Sequence, residues 1–194
     1  MKIAILLLAA GASSRMRGRD KLLEEIDGEQ LLRRVARRAL SVQSDVFVAL
    51  PKGSQTRQEA LKGLAVNTLI VNDAAEGMSA SIRAGVRAAY EFDALMILPA
   101  DMPELTERDL SLVLEGFKAK SGLKIVRGAS ADGTPGHPVV FPKTYFEELS
   151  EIKGDTGGSS IVKKAGAICI PLPDNHALTD LDTPEDWAFW QADR

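Results

Sequence analysis

Three stretches of this 194-residue chain hold side chains able to act on phosphate. The first is Leu8-Ala9-Ala10-Gly11-Ala12-Ser13-Ser14-Arg15-Met16-Arg17-Gly18-Arg19-Asp20-Lys21. Small residues let a backbone approach a bulky anion, and free N–H groups in such a loop can hold phosphate. Arg15 and Lys21 add fixed positive charge, the arginine in a form suited to bidentate phosphate contact. Arg17 and Arg19 read more simply as solvated loop residues. The second stretch is Leu98-Pro99-Ala100-Asp101-Met102-Pro103, where an acid bracketed by prolines ends an apolar run. A carboxylate presented there could hold Mg2+, which binds through one or two carboxylates together with substrate phosphates. The third is Asp180-Leu181-Asp182-Thr183-Pro184, whose two acids share a face when extended. Asp182 reads equally as a metal ligand or as the N-cap of the last helix.

Other polar positions have plain structural readings. Asn72–Ser81 holds Gly77, Ser79 and Ser81, and capping of the following helix by Ser79 or Ser81 accounts for it. His137, between Gly136 and Pro138, reads as structural or as touching substrate rather than metal. His176 is expected in solvent and Cys169 in the core as an inert residue. With a single cysteine, the chain can form no intrachain disulfide and no cysteine-based metal cluster. The pattern holds no Ser-His-Asp arrangement, no GxxxxGK[ST] and no GxGxxG, which removes P-loop and standard dinucleotide chemistry. Phosphoryl or nucleotidyl transfer, driven by positioning and charge neutralisation, remains.

The elements that must place these residues alternate. Ile3–Ala10, Val46–Leu50, Thr68–Val71 and Ala94–Leu98 are short apolar runs of the kind buried on both faces of a parallel sheet. Helical periodicity lies between them. Leu31, Leu32, Val35, Ala36, Ala39 and Leu40 form one stripe, with Arg33, Arg34, Arg37 and Arg38 opposite. Ile82, Val86 and Ala89 mark a second helix. A third, capped by Thr106, buries Leu110, Val113, Leu114 and Phe117. Strands are expected over Lys124–Arg127, Val139–Phe141 and Ile168–Leu172, with helices near Tyr145–Ile152, Ser159–Ala165 and Thr183–Ala192, the last carrying Pro184 in its first turn. The whole predicts one three-layer α/β/α domain over residues 1–194, Rossmann-like, with a mostly parallel sheet.

A formal charge of −3 gives no global attraction to nucleic acid or anionic lipid. No apolar run approaches the 20 or so residues a bilayer needs. Together with the lone cysteine, this predicts a cytoplasmic protein.

The quoted motifs resemble the molybdenum cofactor nucleotidyltransferases, of the nucleotide-diphospho-sugar transferase fold. Leu8-Ala-Ala-Gly11, Ser14-Arg15-Met16, Asp20-Lys21-Leu22-Leu23, Gly77–Gly85, Pro99–Pro103, Gly136–Val139 and Asp180–Asp186 occur in the family's order over nearly the whole chain. Guanylyl-transferring members usually carry Ala-Gly-Gly where this chain has Ala9-Ala10-Gly11 and tend to lack the Gly-Met-Ser-Ala-Ser stretch, so the resemblance points to the cytidylyl-transferring branch. It implies CTP (alternatively GTP) and a molybdopterin-type cofactor as substrates, Mg2+ as cofactor, and transient contact with a molybdoenzyme or its maturation factor. It implies catalytic roles for Arg15, Lys21 and Asp101. Nucleotide contacts are expected from Leu8, Ala9, Ala10, Gly11, Ser13, Arg15, Lys21, Asn72, Ser79, Ser81 and Asp101. Acceptor contacts are expected from Gly136, His137, Pro138 and Asp155, and metal ligation from Asp101 with Asp182 or Asp180. Two positions depart from the family: Arg17 stands where Gly is common, and Gly157-Gly158-Ser159 where Gly-Ala-Arg is frequent. The competing readings are a sugar-phosphate nucleotidyltransferase of the same fold and a non-catalytic carrier of the cofactor.

Overall fold

The computed structural model describes residues 1–193, so Arg194, the end of the expected domain, lies outside the described residues. Its strands are β1 (Ile3–Leu8), β2 (Glu25–Ile26), β3 (Glu29–Gln30), β4 (Val46–Pro51), β5 (Asn67–Val71), β6 (Ala94–Pro99), β7 (Val126–Ala129), β8 (Pro135–Pro142) and β9 (Ile168–Pro171). The helices are α1 (Leu31–Val42), α2 (Gln55–Ala60), α3 (Met78–Ala88), α4 (Glu107–Ala119), α5 (Phe146–Glu151), α6 (Ser159–Ala165) and α7 (Pro184–Ala192). Seven strands form one sheet in the order β5-β4-β1-β6-β8-β7-β9. Only β8 runs against the others, pairing antiparallel with β6 and β7. The expected mostly parallel α/β fold is the fold observed.

β1 shows why its run is continuous rather than alternating. Ile3, Ile5 and Leu7 face a core built with α1, α4 and Trp187 of α7. Ala4 and Leu6 face a second core built with α3, α5 and α6. Helices therefore cover both faces, and the side chains of Ile3–Leu7 leave water at roughly 25 cal/mol per Å² of apolar surface. In α1 the arginines opposite the apolar stripe also tie the helix to its surroundings. Arg33 donates to the carbonyls of Ala60 and Lys62, at 3.0 and 2.9 Å, and Arg38 to those of Pro103 and Leu105, at 2.7 and 2.8 Å.

Thr106 caps α4 through a reciprocal pair with Asp109, as its sequence position predicts. α3 differs from expectation. Its N-cap is Gly77, with φ 104, and Ser79 and Ser81 lie buried inside the helix. The preceding short turn over Ala74–Glu76 ends in a conformation only glycine adopts readily, so the helix begins before either serine. Cys169 is exposed, because β9 is the edge of the sheet. His176 is half-buried, its Nδ1 2.9 Å from the buried Asp109 carboxylate. Two elements lacked an expectation: α2, and the β2–β3 hairpin closed by Asp27 and Gly28, at φ 54 and 77. Among the described residues, no helix is long and apolar enough to cross a membrane.

Candidate active site

Parallel pairing aligns the carboxyl ends of β1 and β6, with Leu8 opposite Pro99 and the Ala100 N–H donating to the Leu8 carbonyl at 3.2 Å. The turn after β1 and the acid after β6 are thus neighbours by register. Beyond Leu8 the chain bends through a short turn over Ser14–Met16, with Ser13 and Arg17 in left-handed conformations at φ 50 and 53. Fully buried Met16 pins that loop to the core. The segment before α7 is drawn in as the Leu181 N–H donates to the Asp101 carbonyl at 3.1 Å.

These loops share one cleft of about 590 Å3, lined by Leu8, Ala10, Gly11, Ala12, Arg15, Lys21, Ser81, Asp101, Asp155, Asp180 and Asp182, among others. At its centre the Lys21 ammonium donates to Asp101 and, at 2.6 Å, to Asp182 Oδ1. Arg15 Nη2 meets the other Asp182 oxygen at 2.6 Å and is otherwise largely exposed. Thr183 is the N-cap of α7, completing a reciprocal pair with Asp186, which leaves the Asp182 carboxylate to the cleft. The helix cap is thus Thr183 and not Asp182, whose side chain pairs with Lys21 and Arg15 instead.

Electrostatics follow from the geometry. Burial alone would push the Lys21 pKa down, but Asp101 and Asp182 outweigh it and hold the ammonium above the usual lysine value. Partial burial, then the charges of Asp182 and Asp101, push the Asp180 carboxyl above its ordinary value. Asp101 and Asp182 therefore meet the Lys21 ammonium directly, Arg15 sits against Asp182, and the charge of Asp180 is felt from beside them.

That convergence is the test of whether a divalent cation fits. Two carboxylates converge on a single ammonium, which marks a cation-binding point made of hard oxygen donors. Among the described residues, no group of three or more His, Cys, Asp or Glu forms a self-sufficient metal cage. Mg2+ suits such a sparse set, since it takes its remaining ligands from water and phosphate.

The other expected site residues divide. Asp155 lines the cleft, and a Cβ on Gly77 would fall 1.9 Å from its Oδ1, so a larger residue there would have to displace this carboxylate. Ala9 is fully buried behind the loop, and Ser13 turns to Asp20, at 3.2 Å. Buried Ser79 accepts from Arg83, and Asn72 lines a separate groove with Asp73, Arg83 and Arg87. Gly136, His137 and Pro138 belong to β8 and are not among the cleft-lining residues. Their place is set by packing: a Cβ on Gly136 would lie 2.0 Å from the Ala177 carbonyl, and the His137 N–H donates to the same oxygen at 2.8 Å. Burial, then Arg127, holds the His137 pKa down to about 4, so its ring is neutral.

One site-adjacent residue had no expectation. Arg57 of α2 is buried beneath the first loop and hydrogen-bonds to Asp20, Ala9 and Gly11. Gln55-Thr56-Arg57-Gln58 shows no apolar period, so nothing in the local sequence marks it.

Residues 5–168 match the MobA-like NTP transferase domain. The chain belongs to this family. It is 29% identical over 190 residues to the molybdenum cofactor guanylyltransferase of Pseudomonas fluorescens (strain Pf0-1), covering 94% of this chain and 90% of that one. Its fold is similar to that of Rv0371c from Mycobacterium tuberculosis H37Rv, with a TM-score of 0.84 at 24% identity over 97% of this chain and 96% of the other. A manganese complex of the same mycobacterial protein gives a TM-score of 0.80 at 22% identity, covering 97% of each chain. As a MobA-like NTP transferase, the chain is a nucleotidyltransferase, and its cleft lies where open α/β sheets bind ligands.

Proposed function

We propose that the chain transfers CMP from CTP to the terminal phosphate of a molybdopterin-bound molybdenum, releasing pyrophosphate. The observation that carries this reading is the convergence of Lys21, Asp101 and Asp182 beside Ala10 and Gly11 in one cleft. The backbone of Ala10–Ala12 is proposed to receive the nucleotide, with Ser81 and the α3 N-terminus closing the opposite side. Arg15 and Lys21 place positive charge where a triphosphate would lie. An oxygen of the acceptor phosphate forms the new bond to the α-phosphorus, and the bond to the β-phosphate oxygen breaks. Charge gathers on the departing pyrophosphate, where the two cationic side chains stabilise it. A phosphate monoester is already ionised near neutral pH, so the attack needs no general base.

Asp101 and Asp182 are the residues proposed to hold Mg2+, with Asp180 beside them. When bound, the ion would neutralise phosphate charge and polarise the reacting phosphate. The mycobacterial neighbour solved with manganese supports a divalent ion on this fold.

The base is argued from Ala10. Ala10 is among the cleft-lining residues, at the position where guanylyl-transferring members of the resembled family usually carry glycine, and this difference favours the cytidylyl reading. GTP is the second reading, favoured by the guanylyltransferase name of the Pseudomonas relative. The test is incubation with each nucleoside triphosphate, Mg2+ and molybdopterin-bound molybdenum, with pyrophosphate scored. The proposal expects release with CTP well above the rest. Release with GTP alone would move the chain to the second reading, and release with none would overturn both.

A further inference from the structure

We infer that Arg57 and Asp20 form a positioning couple that sets both halves of the nucleotide site, a role that rests on the nucleotidyl-transfer reading above. Arg57 is only 4% exposed, and a guanidinium so buried is costly unless its donors are filled. They are filled almost wholly by the loop after β1. Nε and Nη2 donate to the two Asp20 oxygens at 2.7 and 3.0 Å. Nη1 donates to the Ala9 carbonyl at 2.6 Å, and Nη2 to the Gly11 carbonyl at 2.9 Å.

Peptide planarity turns those contacts into directions. Fixing the Ala9 carbonyl on Arg57 aims the Ala10 N–H the opposite way, and fixing the Gly11 carbonyl does the same for Ala12. Ala10, Gly11 and Ala12 are the residues that line the cleft. The other partner reaches Lys21. Asp20 Oδ1 accepts from the Leu22 N–H at 3.0 Å, and the Asp20 carbonyl from the Leu23 N–H at 3.0 Å. This closes a turn around Lys21, whose ammonium enters the cleft. One ion pair, with its guanidinium buried, therefore orients the backbone donors on one side and the catalytic cation on the other. A packing role alone would not require the fork to meet two alternate carbonyls of the same loop. Lysine cannot reproduce that fork, because it offers a point charge instead of a planar donor set.

The experiment compares wild type with Arg57→Lys, Asp20→Asn and the double variant, each checked for folding by circular dichroism and thermal melting. Calorimetry measures CTP and GTP binding without acceptor. Electron paramagnetic resonance measures Mn2+ binding without nucleotide, and amide exchange is followed across residues 9–15. The inference expects the Kd for the preferred nucleotide to rise about tenfold or more in either single variant, from loss of charge-assisted bonds. It expects no further loss in the double variant, unchanged Mn2+ binding, and faster exchange in the loop. Should Arg57→Lys not fold, Asp20→Asn carries the test. Wild-type affinity in a folded variant, or losses that multiply in the double variant, would overturn the couple alone. A wild type that binds neither nucleotide would overturn the underlying reading and the couple with it.

Discussion

Where β1 and β6 end together, charged side chains are delivered into a shared cleft and satisfied by one another: Lys21 by Asp101 and Asp182, Arg15 by Asp182. Where β8 runs the other way, its amino end lies at the same rim, yet none of its residues is among those lining the cleft. His137 donates its N–H to Ala177, its ring Nδ1 is buried without a partner among the described residues, and Arg127 donates to the Gly136 carbonyl at 2.9 Å. The contrast teaches that strand direction decides which residues are free for chemistry. Parallel ends release side chains to the crevice, whereas the antiparallel strand is occupied with pairing and packing.

The comparison breaks first at Asp101. Asp101→Asn keeps the shape but removes the charge, and pyrophosphate release should fall by about 10³-fold or more. A near-normal rate would place the chemistry elsewhere. Lys21→Met comes next, with an expected loss of about 10²-fold at limiting nucleotide and a smaller loss at saturation. An unaltered rate at limiting nucleotide would remove the ammonium from triphosphate binding.

On the β8 side the expected effects concern stability. The folded chain keeps His137 unprotonated down to about 4, whereas an unfolded imidazole takes its proton near 6.5. Acid therefore favours unfolding across that interval; the penalty is absent above it and complete below it, at about 3 kcal/mol. His137→Gln should flatten this part of the stability curve, measured by urea denaturation at pH 7, 5.5 and 4. Parallel curves for wild type and variant would show that the ring is not held neutral. The smallest effect is at the end of the parallel side: Thr183→Ala removes the α7 cap and should cost about 1 kcal/mol in thermal melting. A drop in nucleotide binding larger than this stability loss would show that the cap also steadies Asp182.

Much of this division was legible in the chain. Apolar runs without alternation gave away β1, β4 and β6, because strands covered on both faces need no polar side, whereas β5 was read from a similar run although it is a largely exposed edge strand. Arg15, Lys21, Asp101 and Asp182 could be named because each stands in a loop just beyond, or leads into, a regular element. Cys169 was misplaced because an apolar run reads alike at the edge and the centre of a sheet. The serines of α3 looked like caps because the positive φ of Gly77 leaves only a glycine as its trace. The Asp27-Gly28 pair did carry a hairpin signal, although strands of two residues have too little period to confirm it. Arg57 was invisible for a different reason. Its partners lie 37 to 48 residues away, and no local pattern encodes a contact of that range.

The central claim is that a divalent ion and a triphosphate meet at the point Lys21 now shares with Asp101 and Asp182. Manganese titration followed by electron paramagnetic resonance, with and without CTP or GTP, tests it most directly in wild type and Asp101→Asn. The account predicts that nucleotide and Mn2+ tighten each other's binding by the same factor in wild type, and that this coupling vanishes in the variant. Equal coupling in both proteins would contradict it.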